Sequence, residues 1–220
     1  MSRFSKLISN KKVLLLGPAP HVFDPENTKD FEDFDVIVKV NKMVEKAEFE
    51  DENLNNRTDV LYHCMQIDLP NGDDPYSVEE WKSRGVKHVR MPFVGPEYHY
   101  KKNNNRFLKI NSKFKIEFSL SSVDTFSYAC EMCGGTLPST GMLAINDLIQ
   151  QNPSLLDIRG FTFGKTGYSK KYKNERWHNN KESRERTTKH RVDEQIKFMR
   201  KILKENDNII IDKEMESSIS

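Results

Sequence analysis

Six short apolar-rich runs recur along the chain: Val13 to Leu16, Val36 to Val40, Asp59 to His63, Val86 to Met91, Leu155 to Thr162 and Ile209 to Ile211. Runs of this length suit buried strands, and strands alternating with helices are covered most simply in a layered α/β fold with a largely parallel sheet. Helices are predicted at Ser77 to Arg84, Val123 to Met132, Thr140 to Gln151 and His190 to Glu205. In the third of these, Met142, Leu143, Ile145, Leu148 and Ile149 stand at helical spacing, and Ser139 or Thr140 is placed to cap it. Gly134-Gly135 stops the second. Three stretches lack a clear period. Asp24 to Asp35 is acidic, carries Pro25 and reads as a loop with at most one helical turn, and Glu45 to Asn56 reads as an acidic connector. Gly95 to Lys115 mixes aromatics with Lys and Asn and reads as a long loop or excursion.

A core for such a sheet needs apolar mass. The chain has 220 residues, of which 36% are apolar, enough for one domain spanning 1–220 that buries roughly 70% of its unfolded surface. Its 35 Lys and Arg against 33 Asp and Glu give a formal charge of +2, so no global field demands nucleic acid or a membrane as partner. Charge is concentrated locally, because 165–191 holds ten basic residues against three acidic ones, and an anion is expected there. The longest unbroken apolar run, Val13-Leu14-Leu15-Leu16, falls far short of the roughly 18 residues of a membrane span. Met1 to Asn10 lacks the apolar centre of a signal peptide. Three cysteines, Cys64, Cys130 and Cys133, cannot all pair with one another, which suits a reducing compartment. A soluble, cytoplasmic protein is the expectation.

Three features could carry chemistry. In Leu16-Gly17-Pro18-Ala19-Pro20, the glycine lets backbone approach a ligand at the carboxyl end of a strand that the prolines terminate, although a tight turn without function explains it as well. Neither GxGxxG nor a Walker A sequence occurs, which removes the best support for dinucleotide or P-loop chemistry. In Leu137-Pro138-Ser139-Thr140-Gly141-Met142-Leu143, two hydroxyls, a glycine and the unpaired N–H groups of a helix start can hold an anion with help from the helix dipole, and an ordinary cap accounts for them equally. His178 and His190 flank the basic stretch. One imidazole can take a proton from an attacking hydroxyl, and another, held protonated, can neutralise a leaving phosphate; exposure in a polar loop is the simpler reading. Cys130-x-x-Cys133 lacks a second pair of ligands, Asp33-Phe34-Asp35 reads as a solvated face in an acid run, and Asn56-Arg57-Thr58 is a glycosylation sequon only in a secreted protein. No metal site is expected.

In order and wording these pieces resemble the sialyltransferases of glycosyltransferase family 29. Val13-Leu14-Leu15-Leu16-Gly17 followed by Asp35-Val36-Ile37-Val38-Lys39-Val40-Asn41 looks like the family's large motif, and Arg57-Thr58 like a pair that follows it. Pro138-Ser139-Thr140-Gly141-Met142-Leu143 with Ile158-Arg159-Gly160-Phe161 looks like the small motif and is the most specific match. Trp177-His178 resembles the third motif, and His190 with its acidic neighbours the last. The resemblance spans roughly 11–203. Pro18 stands where the family has Asn, Lys39 where it has Arg, and Gln195 where it has Glu, and the family's bridging cysteines are absent.

The resemblance implies a single Rossmann-like domain, a GT-A-like variant, whose donor is a CMP-sugar and whose acceptor is a glycan or glycoconjugate hydroxyl. By it, Gly17 and Asn41 lie at the donor, Asn41 holding ribose and phosphate. Ser139, Thr140 and Gly141 contact the nucleotide, and Gly160 and Phe161 lie beside the cytidine. His178 binds the donor phosphate, and His190 is the catalytic base. CMP leaves as a phosphate monoester, which hydrogen bonds and a cationic imidazole can stabilise, so no cofactor or metal is expected. Two alternatives stay open: a non-catalytic module whose basic 165–191 stretch docks nucleic acid or an acidic partner, and a transferase-like protein without turnover.

Overall fold

The computed structural model describes residues 2–46, 49–65, 77–92, 97–167 and 190–220. Its strands are β1 (Lys12–Leu16), β2 (Val36–Val40), β3 (Thr58–Tyr62), β4 (Val86–Met91), β5 (Glu117–Leu120), β6 (Leu155–Arg159) and β7 (Ile209–Ile211). All pair in parallel, in the order β5-β4-β3-β2-β1-β6-β7. Nine helices accompany them among the described residues: α1 (Arg3–Ile8), α2 (Met43–Lys46), α3 (Glu52–Asn56), α4 (Val78–Ser83), α5 (Glu97–Phe114), α6 (Val123–Met132), α7 (Thr140–Ile149), α8 (Val192–Glu205) and α9 (Lys213–Ile219). This is an α/β Rossmann-like fold.

The central strands are apolar on both faces because both faces are covered. Val60 and Tyr62 of β3 join a large core with Leu14, Val38, Met142 and Phe198, whereas Leu61 joins a second core with Trp81, Val89 and Phe107. Such double burial turns parallel strands into continuous apolar runs. No helix among the described residues is long and apolar enough to cross a membrane.

Several boundaries depart from the sequence reading. The 95–115 stretch is not a loop but largely the 18-residue helix α5. Phe107, Ile110 and Phe114 supply its apolar face late, after a polar first half that hides the period, and Asn111 closes its end by donating to the Ile116 carbonyl and accepting from the Ile116 amide. β5 follows at once as a short, half-buried edge strand with too little apolar character to announce itself. The 24–35 loop holds two 3-10 turns, Pro25–Asn27 and Phe31–Asp33, and the acidic connector takes in the end of α2 and all of α3. β6 ends at Arg159, three residues earlier than predicted, because Gly160 turns the backbone into the left-handed region at φ +81°.

Two features aim the fold at one place. From β1 the strands are laid outward to β5; the chain then returns and places β6 on the other side of β1. The order reverses between β1 and β6, and open α/β sheets bind ligands outside the carboxyl ends of the strands at such a reversal. Second, α7 is fixed by a buried charge pair. Asp147 accepts hydrogen bonds from Arg90 Nε (2.8 Å) and Nη2 (3.0 Å) and from the Tyr62 hydroxyl (2.7 Å). Removing one partner of such a pair costs about 3–5 kcal/mol. The helix start, Ser139 to Gly141, is thereby held at the carboxyl edge of the sheet.

Candidate functional site

At the reversal, β1 and β6 end in glycines that touch. The Gly17 amide donates to the Arg159 carbonyl at 2.7 Å, and the Ala19 amide to the Gly160 carbonyl at 3.1 Å. A Cβ on Gly17 would stand 2.5 Å from the Gly160 oxygen, and one on Gly160 would stand 2.6 Å from the Gly17 oxygen. Side chains are excluded at both. The Phe161 ring then enters the space that these residues leave: its Cδ2 lies 2.8 Å from where a Gly17 Cβ would be, and its edge occupies the place of a Gly141 Cβ. Gly17, Gly141, Gly160 and Phe161, drawn from three segments, thus form one contact.

A hydrogen-bonded chain extends from this contact to His190. Ser139 caps α7, its hydroxyl accepting from the Met142 amide at 3.3 Å. The same hydroxyl donates to Gln195 Oε1 at 2.8 Å, and the Ser139 amide donates to that oxygen at 3.1 Å. Gln195 is 2% exposed, and its Nε2 donates to the His190 carbonyl at 2.5 Å. His190 Nδ1 lies 2.8 Å from the Leu137 carbonyl. A carbonyl can only accept, so Nδ1 carries the hydrogen, and in the neutral ring Nε2 presents its lone pair. Arg191, left-handed at φ +37°, makes the turn that starts α8 directly after His190.

Around α7 the remaining donors are those an anion would use. The Thr140 and Gly141 amides and the Thr140 hydroxyl have no acceptor among the described residues, whereas the next two amides are taken by Ser139. They sit at the positive end of the helix.

Asn41 stands apart from this chain. It follows β2 in the left-handed region at φ +46°, with its amide donating to the Tyr62 carbonyl at 2.7 Å and its Oδ1 accepting from the Cys64 amide at 3.2 Å. It lies at the same sheet edge, and none of its hydrogen bonds among the described residues reaches the other candidates. Lys39 reaches no ligand position: it is fully buried, and its Nζ donates to the Leu54 carbonyl at 2.6 Å at the end of α3. Burial, helped by the nearby Arg84 charge, pushes its pKa down to about 7. His178 and most of the basic 165–191 stretch lie outside the described residues.

The Gly17–Gly160 crossing is braced from the far side. Asp212 Oδ2 accepts from the Gly160 amide at 2.6 Å and lies 2.9 Å from His21 Nε2. Burial alone would lower the His21 pKa, but the hydrogen bond and charge of Asp212, with Glu214 and Asp24 adding, hold it above the usual value. Arg159 donates to Asp30 at 2.7 and 2.9 Å and to Asp157 at 2.6 Å, tying the loop before β2 to the end of β6.

Sequence reasoning places Leu137 in the helix-start motif but does not find the role of its carbonyl, nor His21, Asp212 or the bridging role of Gln195. Gln195 alone carries a signal, its place five residues after His190. Two concavities among the described residues, of 230 Å³ beside Asn152 and Asn208 and of 340 Å³ beside His88 and Arg90, contain none of the candidate residues. The strand order, the shared glycine contact and the chain to His190 locate the site instead. Comparison of the chain with protein-family models, curated proteins and solved structures finds no match.

Proposed function

We propose that the chain is a metal-independent, inverting glycosyltransferase that moves a sialic acid or related ulosonic sugar from a CMP donor to a glycan hydroxyl. The observation that carries this reading is the hydrogen-bonded chain from the α7 start through Gln195 to His190, at the point where the sheet order reverses. It brings a proton acceptor and a set of anion donors to one edge, although Ser139 and His190 are far apart in sequence.

The chemistry follows from those groups. The free amides and the hydroxyl at Thr140 and Gly141 would receive the donor phosphate and stabilise the charge that grows on it as the glycosidic bond breaks. His190 Nε2 would take the proton of the acceptor hydroxyl as its oxygen attacks the anomeric carbon from the face opposite CMP, so configuration inverts. The Leu137 carbonyl holds that ring in the required tautomer, as an orienting group does for any general base. CMP departs as a monoester whose charge these donors can meet. The Phe161 ring would lie against the base, and Gly17 would let the β1 turn approach the nucleotide.

Thermal unfolding with nucleotides tests the reading, since a ligand that binds only the folded chain raises its apparent stability. CMP at millimolar concentration raises the melting temperature, and UDP and GDP do not. His190→Ala keeps that CMP shift and loses transfer from CMP-sugars. Absence of any CMP shift would sink the donor assignment, and undiminished turnover in the variant would remove His190 from the reaction.

A further inference from the structure

We propose that His21, Asp212 and Glu214 form a site for one divalent transition-metal ion of the zinc class, which ties the turn after β1 to the start of α9. One nitrogen and two carboxylate oxygens converge there from segments almost the whole chain apart, all within 4.8 Å of one another. His21 Nε2 lies 2.9 Å from Asp212 Oδ2 and 3.7 Å from Glu214 Oε2. Ligand atoms around a tetrahedral ion with bonds of about 2.1 Å stand roughly 3.4 Å apart, and the two separations straddle that value.

A simple hydrogen bond accounts for only part of the arrangement. One Nε2–H serves one carboxylate, and Asp212 takes it. Glu214 stands beyond hydrogen-bond distance yet beside the same nitrogen, and Asp24 adds a third acid to the surroundings of His21. Three carboxylates around one imidazole leave an excess of negative charge even when the ring is protonated. A divalent cation would neutralise it.

Asp212 is held as a metal-binding carboxylate needs to be. Its Oδ1 accepts from the Met215 amide at 2.7 Å and its Oδ2 from the Gly160 amide, so neither oxygen is free to rotate, and Oδ2 keeps a second lone pair for the ion. The His21 and Asp212 side chains are 12% and 9% exposed, whereas Glu214 is 42% exposed and can close over the ion from the open side. Imidazole with two carboxylates suits zinc better than magnesium or calcium, which prefer all-oxygen shells. On binding, the Nε2 lone pair goes to the ion, and the proton it carried moves to Nδ1 or, from the cationic ring, to solvent. The ion would take no part in sugar transfer, so its binding can be measured without any donor.

The test is calorimetric titration of the chelator-treated full chain with Zn²⁺, alongside melting temperatures with and without the ion. Wild type binds one Zn²⁺ per chain and melts higher with it, and Mg²⁺ gives neither effect. Loss of a supporting group alone weakens metal sites by about 10- to 100-fold, so Glu214→Gln, which removes a ligand, should weaken Zn²⁺ by at least about tenfold. Because Glu214→Gln leaves the His21–Asp212 hydrogen bond in place, its metal-free melting temperature should match wild type, and His21→Gln should abolish binding. A wild type that does not bind Zn²⁺, or binding equally tight in both variants, would overturn the site and leave a hydrogen-bonded pair.

Discussion

Gln195 Oε1 receives both the amide and the hydroxyl of Ser139, while its Nε2 donates to the His190 carbonyl. Only a side chain that accepts at one end and donates at the other fits between them. Glutamate reproduces the first half: one oxygen can still accept from Ser139. The other, if ionised, faces a carbonyl oxygen and loses a hydrogen bond in a buried place, a cost of about 1–3 kcal/mol. If protonated, it donates as Gln195 does. Gln195→Glu therefore binds a proton more tightly folded than unfolded, so its stability falls as pH rises. Its melting temperature should approach wild type at pH 4.5 and lie several degrees lower at pH 8, as expected for ~2 kcal/mol in a chain of this size. An equal deficit at both pH values would show that the donated hydrogen does not matter.

The Phe161 ring lies between two glycines that differ in what else surrounds them. At Gly141 the obstacle to a Cβ is the ring alone; at Gly17 it is the ring and the Gly160 carbonyl. Gly141→Ala should cost about 1–3 kcal/mol by overpacking, and most of that should disappear in a Phe161→Ala background. Gly17→Ala should stay destabilising in both backgrounds, because the backbone of Gly160 cannot withdraw without losing its hydrogen bond to Asp212. Urea unfolding of the two double-mutant cycles checks this. Additive effects at Gly141 would mean that the ring does not rest there.

The strands at Val13 and Val36 are legible because burial on both faces leaves a continuous apolar signature, and Gly17 and Gly160 because each follows such a run. β5 is not legible, since an edge strand with half-buried residues needs no apolar run. The start of α7 shows its capping chemistry locally. What no local pattern contains is the bracket from Gln195 to Ser139 or the reach from Asp212 to His21: both depend on β6 and β7 returning beside β1, and strand order is a property of the whole chain. Resemblance groups Ser139 with His190, but Gln195 is what joins them.

His63 is a buried neutral imidazole. Its Nδ1 accepts from the Met65 amide at 3.0 Å, so its hydrogen is on Nε2, and it packs against Trp81. Burial, aided by the Lys42 charge, pushes its pKa down to about 3. Between about pH 6.5 and 3 the unfolded chain binds this proton and the folded chain does not, so stability falls as pH falls through that window. From pH 7 to 4.5 the loss is on the order of 2 kcal/mol. His63→Asn, whose Oδ1 can stand in for Nδ1 as the acceptor from Met65, should lose correspondingly less stability over that range. Parallel acid profiles for wild type and variant would exclude His63 as a source of acid sensitivity.

Lys39 makes the same argument on the alkaline side. It is a buried cation with no carboxylate in hydrogen-bond contact among the described residues, held by the carbonyls of Leu54 (2.6 Å) and Asn55 (3.4 Å) with its Nζ 5.5 Å from the Phe49 ring centre. Its folded pKa of about 7 lies far below the unfolded value of about 10.4. Between those values the unfolded chain holds the proton and the folded chain does not, so this residue makes stability rise with pH. Below pH 7 its desolvation is a fixed cost to folding. Lys39→Met removes the charge while keeping most of the side chain's volume, and the Leu54 carbonyl still accepts from the Arg57 amide. Wild type should therefore gain roughly 2–3 kcal/mol on Lys39→Met between pH 6 and pH 9 in urea unfolding, with the variant the more stable at pH 6. A constant difference across that range would mean that Lys39 stays protonated in the folded chain, and that the carbonyls of α3 hold the charge better than its burial implies.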